Sequence, residues 1–343
     1  MRRFQHGGDV YGNPEAIDFS ASLNPAGMPP SARQALVDHV DAFEHYPDPL
    51  CRELTAAIAR FEGVAESWVV PTAGATDAFA RLCAALHPRE SLICAPGYSG
   101  YEQALEQCGC AVRQHFLRAE EGFLVTERLV DSLDHALDLV FIANPNNPTG
   151  RCVAPSVLRA CLEQARTLGI VVVLDECFVD LSEGQRSNGL LKEFDNLVIV
   201  KALTKTFALP GLRVGYALGA DQELVRHLLQ AGQPWAVSVP AQLAGVASLT
   251  DETYLPRSLE LISRERGRLI SALTSHGLSV VPSDTNYLLF QGPVGLSERL
   301  LDQGVLIRSC DNFDGLGELW YRIAVRTERE NAQLIAALEE VLA

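Results

Sequence analysis

Long hydrophobic runs, internal repeats, low-complexity tracts and Ser/Gly-rich linkers are all missing from this sequence of 343 residues. The apolar runs at 139–143 and 170–174 fall far short of the ~18 residues that suggest a membrane span, so no membrane partner is expected. The nine cysteines (51, 83, 94, 108, 110, 152, 161, 177 and 310) include no Cys-x-x-Cys pair. The closest spacing, Cys108-Gly-Cys110, has no histidine at zinc-ligand distance, so no metal site is expected. Buried reduced thiols of a cytoplasmic protein are the ordinary reading. Basic residues are also scarce, 28 against 43 acidic, for a net charge of −15. Such a surface repels phosphate backbones, which disfavours a nucleic-acid partner. The opening MRRFQHGGDV carries two arginines with no apolar stretch behind them, so no secretory leader is expected.

What is present is ordinary for a water-soluble globular chain: 48% apolar and 21% charged residues. Collagen-like, coiled-coil and disordered classes are excluded, and the length suggests about two domains. Runs at 91–95, 111–116, 137–143, 170–174, 197–201 and 214–218 read as buried strands. Helical spacing at 75–86, 98–107 and 154–168 falls between them, which predicts crossovers and a mostly parallel sheet covered on both faces. Beyond residue 221 the pattern changes. Helices at 239–249 and 254–276, short strands at 279–281, 286–290, 305–307 and 320–325, a helix at 296–303 and a last helix from 328 predict a smaller α/β unit.

Five stretches carry chemistry. Lys205 stands among Thr204, Thr206 and Phe207, unlike a solvated lysine among other charges. In a partly apolar pocket its pKa falls and it can condense with an aldehyde. Arg213, eight residues on between Gly211 and Gly215, suits a fixed phosphate. Asp175 ends a run of β-branched residues, and the C-terminal edge of such a strand is where ligands bind in open α/β sheets. Asn147 lies in a turn, Asn144-Pro-Asn-Asn147-Pro-Thr-Gly150, again just past a strand. Thr72-Ala-Gly74-Ala75-Thr76 opens a helix whose free N–H groups suit a phosphate, and Tyr98 could stack on an aromatic ring. Taken singly, each has a plain structural reading: a buried lysine, a surface arginine, a helix cap, a turn, a core aromatic.

In this order the stretches make the chain resemble, over most of its length, the aminotransferase-like (fold type I) pyridoxal-phosphate family. The resemblance implies an α/β fold with a large domain over 46–250 and a smaller one from 1–45 and 251–343. It implies pyridoxal 5'-phosphate as cofactor and Lys205 as the catalytic residue that joins its aldehyde and later moves protons. Asp175 would pair with the ring nitrogen, Tyr98 would stack, and Asn147 would hold the phenolic oxygen. Ala75, Thr76, Thr204 and Arg213 would bind the phosphate. Tyr46, in His45-Tyr46-Pro-Asp-Pro, matches the tyrosine that reaches a neighbouring subunit's phosphate, which implies a homodimer with shared active sites. Phe178 stands where many relatives have a tyrosine, and Ala202 replaces a hydroxyl residue.

Within the family, both ends of the chain resemble the branch that decarboxylates a phosphorylated amino acid, L-threonine O-3-phosphate, in the cobalamin pathway. The quoted segments are His6-Gly-Gly-Asp9, 18–27 with Asn24, 306–316 with Arg308, and 320–326. Arg322 matches the family's carboxylate-binding arginine. Arg308, Arg326 and His6 are candidates for gripping the substrate phosphate or reorienting the carboxylate, and Asn24 is placed with them on the substrate side. Such a cluster is also what an anionic substrate requires of so acidic a protein. Three other readings stay open: transamination of histidinol phosphate, decarboxylation of serine phosphate, and a non-catalytic regulator. The intact Lys205, Asp175 and Arg213 speak against the last.

Overall fold

The computed structural model describes residues 6–343; residues 1–5, part of the opening read above as leaderless, lie outside the described residues. The chain begins with a short strand β1 (Ile17–Asp18) and two helices, α1 (Pro30–Asp38) and α2 (Arg52–Glu62). The central elements follow: β2 (Val69–Thr72), α3 (Ala75–Leu86), β3 (Glu90–Ala95), α4 (Gly100–Gln107), β4 (Ala111–Phe116), α5 (Glu127–Asp131), β5 (Leu139–Ala143), α6 (Pro155–Leu168), β6 (Val171–Asp175), β7 (Leu197–Ala202), the short α7 (Leu203–Thr206) and β8 (Gly215–Gly219). Their strands form one sheet in the order β2-β8-β7-β6-β5-β3-β4. β8 runs antiparallel to both of its neighbours, and the other pairings are parallel.

Side chains alternate across this sheet with period two, so each strand feeds two cores. In β6, Val172 and Leu174 join the cluster on one face, and Val173 joins Phe141, Phe79 and Tyr101 on the other. Asp175 shares the parity of Val173. The parallel strands β5, β6 and β7 end together in register, Ala143 beside Asp175 and Asp175 beside Val200. The predicted turn, carboxylate and lysine therefore converge on one sheet edge, as open parallel sheets require of their ligand sites.

The remaining elements are α8 (Gln222–Ala231), α9 (Val239–Leu249), α10 (Tyr254–Ser275), β9 (Ser279–Val280), β10 (Tyr287–Gln291), α11 (Leu296–Asp302), β11 (Val305–Leu306), β12 (Arg308–Ser309), β13 (Trp320–Ala324) and α12 (Glu328–Leu342). An antiparallel sheet in the order β12-β13-β10-β9 packs under α10 and α12 through Leu269, Leu288, Ile323 and Leu334. β1 pairs in parallel with β11. Helix ends carry local signals: Pro155 in the first turn and left-handed Gly169 after the last for α6, and a Thr327–Glu330 capping box for α12.

Candidate active site

At the C-terminal edge of β5–β7, under the small sheet, lies a cavity of about 260 Å³. Its wall contains Lys205, Asp175, Asn147, Tyr98, Ala75, Thr76, Thr204 and Arg213 from the central sheet and its loops, and His6, Arg308 and Arg322 from the two ends of the chain. The sequence placed these eleven residues in one site, and the fold brings them together.

One end of the cavity is built for an anion. Gly74 precedes α3 at φ +85°, and no side chain caps the helix, so its first N–H groups face outward. A Cβ at Gly74 would lie 2.9 Å from an Arg213 terminal nitrogen; the missing side chain is what lets the guanidinium lie across the turn. Arg213 itself takes left-handed backbone, φ +58°.

The centre holds the buried carboxylate. Asp175 accepts from the Tyr101 hydroxyl at 2.6 Å and from the Cys177 amide at 2.9 Å. Burial raises its pKa, and the donors from Cys177 and Tyr101 work against that rise. Lys205 follows β7 in α7, with its amine over the Phe178 ring at 5.9 Å. Burial, then the Arg322 and Arg213 charges, lower its pKa to about 8. An amine poised this way is a nucleophile and proton carrier near neutral pH.

The opposite wall is cationic. Arg308 and Arg322 sit directly opposite each other on β12 and β13, both buried. Like charges in this register repel, and an anion placed between them would meet both guanidinium groups. Arg322 donates to the Ser20 carbonyl at 2.7 Å and to Asn147 Oδ1. Its buried Nε has no hydrogen-bond partner among the described residues. Arg308 donates to Asn312 Oδ1 at 2.6 Å and lies over the Phe313 ring at 5.2 Å. His6 has its pKa lowered by burial first, then by Arg308, Lys205 and Arg322.

Three sequence-chosen residues go elsewhere. Asn24 is buried, but its amide donates to the Thr206 carbonyl at 2.8 Å and to Ser258 at 2.9 Å. Its own N–H donates to the Lys205 carbonyl at 3.0 Å, so it braces the lysine turn instead of facing the cavity. Arg326 is paired with Glu330 at 2.5 Å, outside the cavity wall. Tyr46 is 81% exposed and packs on Trp235, ring centres 5.0 Å apart, away from its own chain's cavity. Sequence reasoning missed Tyr101, although it stands three residues after Tyr98; a second aromatic so close by was the available signal. It also missed Asn312 and Phe313, which a loop after β12 carries to Arg308.

Behind the sheet, on the face away from the cavity, Lys201 meets Glu62 at 2.7 Å and Asp180 at 3.0 Å, all three buried. Arg186 adds a 2.6 Å bond to Asp180.

The model of the family described as aminotransferase class I and II matches residues 14–338. A threonine-phosphate decarboxylase of Salmonella typhimurium is 36% identical over 333 residues, 96% of this chain and 92% of that protein. Among solved structures, a histidinol-phosphate aminotransferase from Clostridium acetobutylicum is similar with a TM-score of 0.89 at 28% identity, covering 94% of this chain and 98% of that one. An L-threonine-O-3-phosphate decarboxylase from Porphyromonas gingivalis gives 0.85 at 26% identity, with the same two coverages, 94% and 98%.

Proposed function

The chain belongs to the aminotransferase class I and II family, and from that premise we propose that it decarboxylates L-threonine O-3-phosphate. The products would be (R)-1-amino-2-propanol O-phosphate and carbon dioxide, a step of cobalamin synthesis. The cofactor is pyridoxal 5'-phosphate, as in the family.

The residues fit that group. The uncapped start of α3, the Thr76 and Thr204 hydroxyls and Arg213 over the Gly74 cradle would hold its phosphate. Tyr98 would cover the ring, and Asp175 would accept the ring N–H. With its Oδ1 engaged by Arg322, Asn147 would have its Nδ2 donors left for the phenolic oxygen. Phe178 offers no hydroxyl there, so that oxygen has one donor fewer than in relatives with tyrosine. When bound, the group supplies an aldehyde that takes up an amine and a protonated ring that accepts the electron pair released at the substrate's α-carbon.

The protein's own part is orientation and proton transfer. Arg322, Arg308 and His6 would fix the substrate's two anionic ends, carboxylate and phosphate, and so choose which bond at the α-carbon stands across the ring. Lys205, its pKa lowered to about 8, would then return a proton to the α-carbon after carbon dioxide leaves. The observation that carries this reading is the pair of buried arginines opposed in register across β12 and β13. A substrate that brings two anions would relieve their mutual repulsion.

Incubation with L-threonine O-3-phosphate and no oxo-acid should release carbon dioxide; L-serine O-phosphate should serve less well, a missing methyl being worth only ~1–3 kcal/mol. The structural likeness to a histidinol-phosphate aminotransferase favours a second reading. Amine transfer from histidinol phosphate that requires 2-oxoglutarate, with no carbon dioxide from the phospho-amino acid, would establish it instead.

The division into 46–250 and 1–45 with 251–343 belongs to the same proposal. So does a homodimer. Exposed Val37, Val40, Phe43, Tyr46, Leu50 and Trp235 give an apolar surface that supports a second copy, to whose cavity Tyr46 would reach. The cysteines of the described residues are free thiols, which supports a cytoplasmic home.

A further inference from the structure

We infer that Tyr101 is a positioning residue that holds the Asp175 carboxylate and braces Tyr98 with a single side chain. The inference deepens the reading above and rests on it. Tyr98 lies just before α4 and Tyr101 in its first turn, with ring centres 5.5 Å apart and planes at 85°, an edge-to-face brace. Tyr101 is 3% exposed, stacked on Phe141 at 5.0 Å and edge-on to Phe79 at 5.0 Å. A ring held on three sides cannot swing away, so its hydroxyl is fixed on Asp175 Oδ2 at 2.6 Å. The other carboxylate oxygen receives the Cys177 amide. Each oxygen thus has a donor from a different element, which fixes the plane of the carboxylate as well as its place.

The titratable groups facing Asp175 are Tyr98 and Tyr101 from the α4 end, Cys177 after β6 and Tyr287 from β10. Burial favours the protonated acid, and a protonated Asp175 lacks the negative charge that would hold a ring nitrogen in its N–H form. The Tyr101 hydroxyl, which hydrogen-bonds the ionised form, opposes this. Tyr101→Phe keeps the ring packing and the brace on Tyr98 and removes only that donor.

Two readouts test the inference. In the ligand-free protein, the carbon-13 signal of the Asp175 carboxyl, assigned with Asp175→Asn, should titrate at higher pH in Tyr101→Phe than in wild type. Affinity for added pyridoxal phosphate should fall on the order of tenfold to a hundredfold at pH 6, the worth of a bond to a charged acceptor, and recover most of the way by pH 9. A variant whose Asp175 titrates where wild type does overturns the inference. If Tyr101→Phe fails to fold, 3-fluorotyrosine at position 101, a stronger donor, should move the titration the other way, and an unmoved signal is again fatal. Wild-type protein that takes up no pyridoxal phosphate would refute the proposed function, while the carbon-13 titration still decides the role of Tyr101.

Discussion

Substituting alanine for Gly74 perturbs one point where backbone, cofactor and charge meet. At φ +85° and ψ 173° the residue occupies territory that only glycine enters freely, so a Cβ costs of order 1–3 kcal/mol. The added carbon also meets the Arg213 guanidinium at 2.9 Å, closer than real contacts allow. The flexible guanidinium is what moves, and the proposed grip of Arg213 on the cofactor phosphate would go with it. Gly74→Ala should therefore lower the melting temperature of the ligand-free protein by roughly 1–4 °C. It should also weaken pyridoxal phosphate binding on the order of tenfold to a hundredfold, read from the absorbance of the bound cofactor. Gly277→Ala separates the two effects. It places a Cβ at φ +74° with no atom within 4 Å, so it carries backbone strain without the collision. That variant should lose about 1–2 kcal/mol and bind cofactor as wild type does. Wild-type affinity in Gly74→Ala would refute the claim that the bare turn exists to seat Arg213.

Four further outcomes follow from the site and its support. The reaction of ligand-free protein with pyridoxal phosphate should speed up through pH ~8 and level off near 9, where an unperturbed lysine would keep gaining beyond 10; Lys205→Ala should abolish it. Because the unfolded chain binds that proton up to about 10.4 and the folded chain only to about 8, the Lys205 contribution to stability rises with pH across the window. Denaturant titrations of wild type against Lys205→Ala check the sign. Arg308→Met should raise KM for the phospho-amino acid on the order of tenfold to a hundredfold while stability stays within about 1 kcal/mol of wild type, since relief of repulsion with Arg322 offsets the lost hydrogen bonds. Lys201→Met strands the buried Glu62 and Asp180 carboxylates beside Arg186 and should cost about 3–5 kcal/mol by urea unfolding, part of it regained on adding Glu62→Gln.

The strands β3 to β7 and the helices α4 and α6 were legible because each is a short run with one period, whereas the five-residue α5 between β4 and β5 is too short to show one. The helix at 75–86 and the strand at 111–116 were read to the residue. The first third of the chain was harder. In α2, Leu54, Ala57 and Ile58 face the core among Arg, Glu and Thr, a weak stripe that only its packing partners make decisive. β2, with its proline, pairs antiparallel with β8, a relation set by a distant strand and not by local pattern. The residues expected on the cofactor side line one cavity because they lie near strand ends and helix starts along the same sheet edge. Asn24 turns to a buried backbone carbonyl and Arg326 to the Glu330 carboxylate in the first turn of α12, and in sequence a polar residue near a site looks the same whichever way it faces. Thr206, Ser258 and Glu330, the partners that claim these two, are named only by the fold.

The pairing of β1 with β11 also sets the order in which the molecule can be made. Ile17 leaves the ribosome on the order of 290 residues ahead of its partner Val305, roughly 15–60 s at ordinary translation rates. The large sheet, whose strands lie between residues 69 and 219, has every neighbour it needs well before then. The nascent chain can thus complete the cofactor-holding edge early. The wall of opposed arginines, together with the segment that passes Ser20 beneath it, closes only after the last strands emerge.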